Sequence, residues 1–175
     1  MKRSLFFVFI MSALLTGSAF AQFTQPQMVV EWQRAKTYTK AYLDAMPADG
    51  YSFKPTPEIR SFAQQMLHLA TDNFGFASYA SGKTTPAADT ALEQTVQPTK
   101  EATTKAVMES YDYMISTLQG MTPDQMNEMI KRRNGTEISR ANLFGKGFEH
   151  QTHHRGQTTI YLRLKGVTPP QEMLF

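Results

Sequence analysis

FEHQTHHRGQTTIYLRLKG, residues 148–166, is the stretch on which the reading of this chain turns. It holds no proline, and with Phe144, Phe148 and Leu162 marking an apolar edge it reads as the end of a long helix. That helix runs from about Ser139 to Lys165 and is closed by Gly166 and Pro169-Pro170. Three of the chain's four histidines fall inside it. On a helix, positions i and i+4 are stacked neighbours with β-carbons about 5–6 Å apart, so His150 and His154 can place ring nitrogens on one ion. His153 lies about 60° from His150 and about 100° from His154 around the axis, off that face. Gln157, one turn on, is placed either to hydrogen-bond a ring nitrogen or to make a plain interhelical contact.

Two histidines on one helix describe ordinary surface polarity as well as half a metal site. A third imidazole from another helix would separate these readings, because three neutral imidazoles with open positions make a catalytic type of site. The one remaining histidine is His68, in QQMLHL (64–69), set among apolar residues where an unpartnered imidazole is costly to bury. Asp72 follows His68 by four residues and shares its face. It reads as exposed helix polarity, with an orienting carboxylate or general base as the alternative. Gly156 reads as a point of close helix approach, and Glu149 and Arg155 as solvent or interhelical charges. Trp32, Tyr38 and Tyr161 read as core aromatics or as the lining of a pocket.

Upstream, three more segments have helical period. Met28, Trp32, Ala35, Tyr42 and Met46 mark the first. The second starts with Thr56 as N-cap and Pro57 at the first helical position, carries Ile59, Phe62, Met66, Leu69 and Ala70, and ends near Ser81-Gly82. The third spans about Lys100 to Leu118 and is stopped by Gly120. Thr84 to Pro98, rich in Thr, Ala and Pro, reads as a crossover loop. Thr122-Pro123-Asp124-Gln125 has the layout of a capping box and opens a short extra helix to about Arg133, before the turn at Asn134-Gly135. No alternating strand pattern of useful length is visible. The fold expected is all-α: a four-helix bundle with a long crossover loop and a short extra helix before the last long one.

Residues 1–21 precede this domain and read as a secretory signal. Lys2 and Arg3 form its basic start, Leu5 to Leu15 its apolar run and Ala19-Phe20-Ala21 its cleavage site. The expected mature chain, 22–175, is periplasmic or secreted, with no stable membrane anchor after cleavage. Removing Lys2 and Arg3 lowers the formal charge from +3 to +1, and no basic run remains to suggest nucleic acid or anionic lipid. Lys131-Arg132-Arg133 reads as a helix end, where cations offset the macrodipole. With no cysteine in the chain, disulfides, thiolate metal sites and cysteine nucleophiles are excluded, so any metal rests on imidazole and oxygen.

SFKPTPEIRSFAQQMLHL (52–69) and EHQTHHRGQTTIYLRLKGVTPP (149–170) together resemble the DinB-like family of four-helix bundles, related to bacillithiol- and mycothiol-dependent transferases. The resemblance implies a divalent metal, nickel, zinc, iron or manganese, held by a helix-two histidine and an HxxxH pair on helix four. Those positions fall on His68, His150 and His154. It further implies a thiol S-transferase, and because low-molecular-weight thiols belong mainly to the cytoplasm, a hydrolase using a metal-bound water is an equal expectation for an exported chain, in either case acting on an unidentified small molecule. A non-catalytic metal-binding or small-molecule-binding bundle is the alternative, and a homodimer the oligomer to consider.

Overall fold

The computed structural model describes residues 23–84, 90–132 and 134–175; the expected signal sequence 1–21, part of the crossover (85–89) and Arg133 lie outside them. Four long helices are present: α1 (Gln25–Ala45), α2 (Phe62–Ser81), α4 (Lys100–Gln119) and α6 (Arg140–Leu164). Short helices α3 (Leu92–Thr95) and α5 (Pro123–Asn127) lie in the connections. Strands β1 (Met129–Lys131) and β2 (Glu137–Ser139) form an antiparallel hairpin ahead of α6.

Each long helix starts on a side-chain cap. Thr24 and Ser61 form full capping boxes with Gln27 and Gln64, while Thr99 and Ser139 cap α4 and α6. The second helix therefore begins five residues later than the Thr56-Pro57 signal predicts. Residues after Pro55 turn back, and the carbonyls of Phe53 and Tyr51 take the first-turn N–H groups of Phe62 and Ala63 at 3.0 and 2.9 Å. Those donors are satisfied by the loop, and Ile59 is left exposed rather than on the apolar face. Gly82 and Gly166 end α2 and α6 with positive φ of 72° and 73°.

The short extra helix also differs from expectation. It stops at Asn127, and Lys131 sits in β1 instead of closing a helix. Three-residue strands are too short to show an alternating pattern. The hairpin is held instead by Gly135 at φ 85° and by Arg132 N–H on the Thr136 carbonyl at 2.7 Å.

Contacts fix the helix order. Lys100 Nζ, at the start of α4, reaches the Asp44 and Met46 carbonyls at the end of α1, and Gln25 at the start of α1 reaches the Leu118 carbonyl, so α1 and α4 are antiparallel. Asn73 meets Ser110 and Ser78 meets Tyr113, so α2 and α4 are parallel. Gln65 meets His154 and the Ala80 carbonyl meets Arg140, so α2 and α6 are antiparallel. Trp32 packs on Phe148 and Tyr42 on Thr159, so α1 and α6 are parallel. The bundle is thus up-down-down-up, with α1 diagonal to α2 and α4 diagonal to α6. Returning α2 to a parallel α4 requires the crossover to travel about 30 Å, the length of a 20-residue helix. It is strapped to α2 on the way: Leu92 N–H donates to Thr71 Oγ1 at 3.1 Å and Arg60 pairs with Glu93 at 2.6 Å.

The core is apolar at its centre, with Trp32, Tyr51, Phe62, Met66, Leu69, Tyr111, Met114, Leu118 and Phe144 all fully buried. Trp32, Tyr38 and Tyr161 belong to it, which settles their role as packing. Close helix approach occurs at Gly147, where a β-carbon would come within 3.1 Å of Phe76, and not at Gly156, which faces open space. Gly156 is therefore only a helix weakness: Gly156→Ala is expected to stabilise by about 0.5–1 kcal/mol, read as a higher thermal midpoint, and an unchanged or lower midpoint would show that the position does contact something.

Candidate metal centre

Two antiparallel helices build this site. On α6, His150 and His154 follow one another by one turn, with ring centroids 4.3 Å apart. On α2, His68 faces them at 5.4 Å from His150 and 4.6 Å from His154. One nitrogen from each of the three rings lies within 4.8 Å of the others. At about 2.0–2.1 Å per bond, two imidazoles on one ion stand no more than about 4.2 Å apart, so the three nitrogens stand close to the spacing one ion requires. Nδ1 of His150 is buried and has no hydrogen-bond partner, as expected where the missing partner is not a protein group. The donor set fits a divalent cation of the zinc, nickel or iron kind.

Asp72 is part of the cluster, which overturns its reading as exposed polarity. Its Oδ2 accepts from His150 Nε2 at 2.9 Å and lies 3.2 Å from His68 Nε2. Burial alone would raise its pKa, but the hydrogen bond from His150 and the neighbouring imidazoles outweigh this and hold the carboxyl below its usual range. Desolvation works the other way on the rings. His154, only 9% exposed, is pushed down to about 4 by burial and then by His150, His68 and His153. His68 is lowered mainly by burial, against the opposing pull of Asp72. His68 and His154 are thus kept neutral, the form that binds metal.

His153 stays outside the cluster. It is exposed, its ring stacks edge-on against His154 at 5.0 Å, and Nε2 meets the Gln157 amide at 3.0 Å. Gln157 does bond an imidazole, that of His153, and also meets the Gln65 amide. Arg155, read as a solvent or interhelical charge, is buried under Tyr38 at 4.4 Å from the ring centre. Glu149 remains on the surface, paired with Lys146 at 2.7 Å.

Pattern reading missed two residues. Gln65, buried on α2, brings its amide to 2.6 Å from His154 Nδ1. Its signal is its spacing, three residues before His68 and so on the same face. Glu93, from α3 in the crossover, stands 3.8 Å from His68 Nδ1, a contact made across 25 residues of sequence that no local spacing encodes. Gln65→Leu is expected to weaken zinc affinity by about 10–100-fold, the usual effect of removing a residue that orients a metal-binding histidine. Titration with a zinc indicator checks this, and an unchanged affinity would show that the amide contact does not matter.

The sequence pattern of the DinB family matches residues 12–173. This chain belongs to the DinB family. As a DinB protein it is 23% identical over 146 residues to the uncharacterised Bacillus subtilis protein YjoA, covering 81% of this chain and 91% of that one. Its fold matches the solved structure of a DinB-like protein from Bacillus cereus, with a TM-score of 0.72 at 18% identity over 84% of this chain and 96% of the other. It also matches Bacillus subtilis YfiT, described as a probable metal-dependent hydrolase with an unusual four-helix bundle topology, with a TM-score of 0.65 at 13% identity over 85% and 91%. The four-helix DinB-like fold read from the sequence is the fold observed.

Proposed function

We propose that this DinB protein is an exported metal-dependent hydrolase, holding a divalent ion on His68, His150 and His154 and acting on a small molecule. The observation that carries the reading is the convergence of three imidazoles from two helices beside the ionised Asp72, at a place still open to solvent. Side chains of His68, His150 and Asp72 are 22%, 24% and 34% exposed, so a substrate can reach them. The likeness to YfiT supports hydrolysis as the reaction class.

When bound, a divalent ion would supply Lewis acidity and lower the pKa of a coordinated water. The chain's own residues prepare the place. His68 and His150 stand on facing helices, so the site exists only when α2 and α6 are packed. Gln65 holds the His154 ring by its Nδ1. Asp72, ionised, accepts from His150 Nε2 and lies beside His68 Nε2, so it orients both rings, leaves His150 Nδ1 free for an ion, and stands where it could accept a proton or a hydrogen bond from a nucleophile. Thiol transfer uses the same groups, and likeness to a mycothiol-dependent maleylpyruvate isomerase supports it as a second reading; export weighs against it, since low-molecular-weight thiols belong mainly to the cytoplasm.

Elemental analysis of the purified protein tests the proposal. One zinc, nickel, iron or manganese per chain is expected, together with hydrolysis of model esters or amides that chelation abolishes and metal restores. A protein that carries no metal and takes up neither zinc nor nickel would sink it. A metal saturated by protein ligands would sink its catalytic part, because an open position is required.

A further inference from the structure

The α2 face that carries His68 and Asp72 continues past them. His68, Asp72, Gly75 and Tyr79 fall within about 60° of one another around the helix axis, and Tyr79 stands about 10 Å beyond Asp72 at 1.5 Å rise per residue. Between them, a β-carbon on Gly75 would meet nothing within 4 Å among the described residues. Past Gly75 the stripe enters a groove of about 750 Å³ between the end of α2 and the β1–β2 hairpin, a volume typical of small-molecule sites.

Lys83, Lys131, Arg132 and Arg140 line this groove, and among the described residues no carboxylate does. Glu128 pairs with Arg140 at 2.9 Å, and Glu137 stands opposite Lys131 in the hairpin register. Counting both acids against the four cations still leaves a surplus of +2. Lys83, Lys131 and Arg132 make no ion pair among the described residues. The walls are fixed to one another: Tyr79 OH donates to the Lys131 carbonyl at 2.7 Å, and Arg140 Nη1 to the Ala80 carbonyl at 2.6 Å. A preformed cationic groove on the same helix stripe as the imidazoles is placed to take the charged end of a ligand whose other end reaches them.

We propose that the groove binds a carboxylate or phosphate group of the substrate, making the substrate a small organic anion whose charged end lies about 10 Å along α2 from the reacting bond. As a statement about substrate this rests on the metal-dependent reading above, whereas the anion affinity of the groove does not.

The metal-free protein, titrated with inorganic phosphate and separately with acetate, is followed by amide NMR shifts. Saturable shifts at Tyr79, Lys131 and Arg132 are expected, with about tenfold weaker binding in the Lys131→Ala/Arg132→Ala double variant and no change on Lys105→Ala, an exposed lysine of α4 that does not line the groove. Response to phosphate but not acetate assigns a phosphate end, and the reverse a carboxylate. The zinc-loaded protein should then bind suberic acid monohydroxamate about tenfold more tightly than octanohydroxamic acid, an advantage lost in the double variant. Metal uptake without saturable groove shifts, or equal affinity in the double variant, would overturn the groove alone. Groove binding without metal uptake would overturn the metal-dependent reading alone.

Discussion

His154→Ala is expected to strip the protein of its divalent metal, lowering zinc affinity by more than the roughly 10–100-fold typical of losing an orienting partner, while His153→Ala leaves metal content unchanged. The His154 ring sits between the other two, 4.6 Å from His68 and 4.3 Å from His150, and is the most buried of the three candidates. Its removal takes away one of three imidazoles, and with it the ring that Gln65 holds. His153 lies one residue away, yet it is exposed and its Nε2 bonds Gln157. Elemental analysis of both variants beside the parent protein checks the contrast, with circular dichroism to confirm that each still folds. Equal metal loss in the two would show that the ligand set is wrong.

The second large effect is expected in the core, away from the metal. Gln151 is fully buried, and its Oε1 accepts both Tyr111 OH and Arg155 Nη1 at 2.8 Å, while Tyr111 OH also meets Thr39 Oγ1 at 2.7 Å. Gln151→Leu keeps the volume but removes the acceptor from a buried cation that has no carboxylate partner among the described residues. Leaving a buried charged group without its acceptor costs about 3 kcal/mol, and at about 2–4 °C per kcal/mol for a domain of this size the thermal midpoint should fall by roughly 6–12 °C. Gln151→Glu, which restores an acceptor, should lose much less. A drop below about 1 kcal/mol for the leucine variant would mean that Arg155 finds its stabilisation elsewhere, for instance over the Tyr38 ring.

What the sequence disclosed follows from how local each signal is. Helix-four boundaries were legible because Ser139 and Gly166 act within a single turn, and the His150–His154 pair because i, i+4 spacing is a property of one helix. The N-terminus of α2 was misplaced because Phe53 and Tyr51, on the incoming loop, compete with Thr56 for the role of ending it. Asp72 looked like surface polarity because its partner His150 comes from a helix nearly 80 residues away. Arg155 lay one position from the ligand pair, and nothing in its neighbours along the chain announces the Tyr38 ring that covers it.

The up-down-down-up order also governs how the chain reaches its folded state. Among the described residues, α1 and α2 are diagonal and so are α4 and α6, and α2 with α4 is the one pair of long helices consecutive in sequence that packs extensively. No helical hairpin can form early from α1 with α2 or from α4 with α6, so most stabilising contacts wait on the closure of long loops. Folding is therefore expected to be slower than for bundles built from sequential hairpins, and strongly cooperative. A cut in the loop before α2 would part α1 from both α4 and α6, and one in the loop before α6 would part α6 from both α1 and α2, so the imidazole cluster would assemble only as the last helix docks.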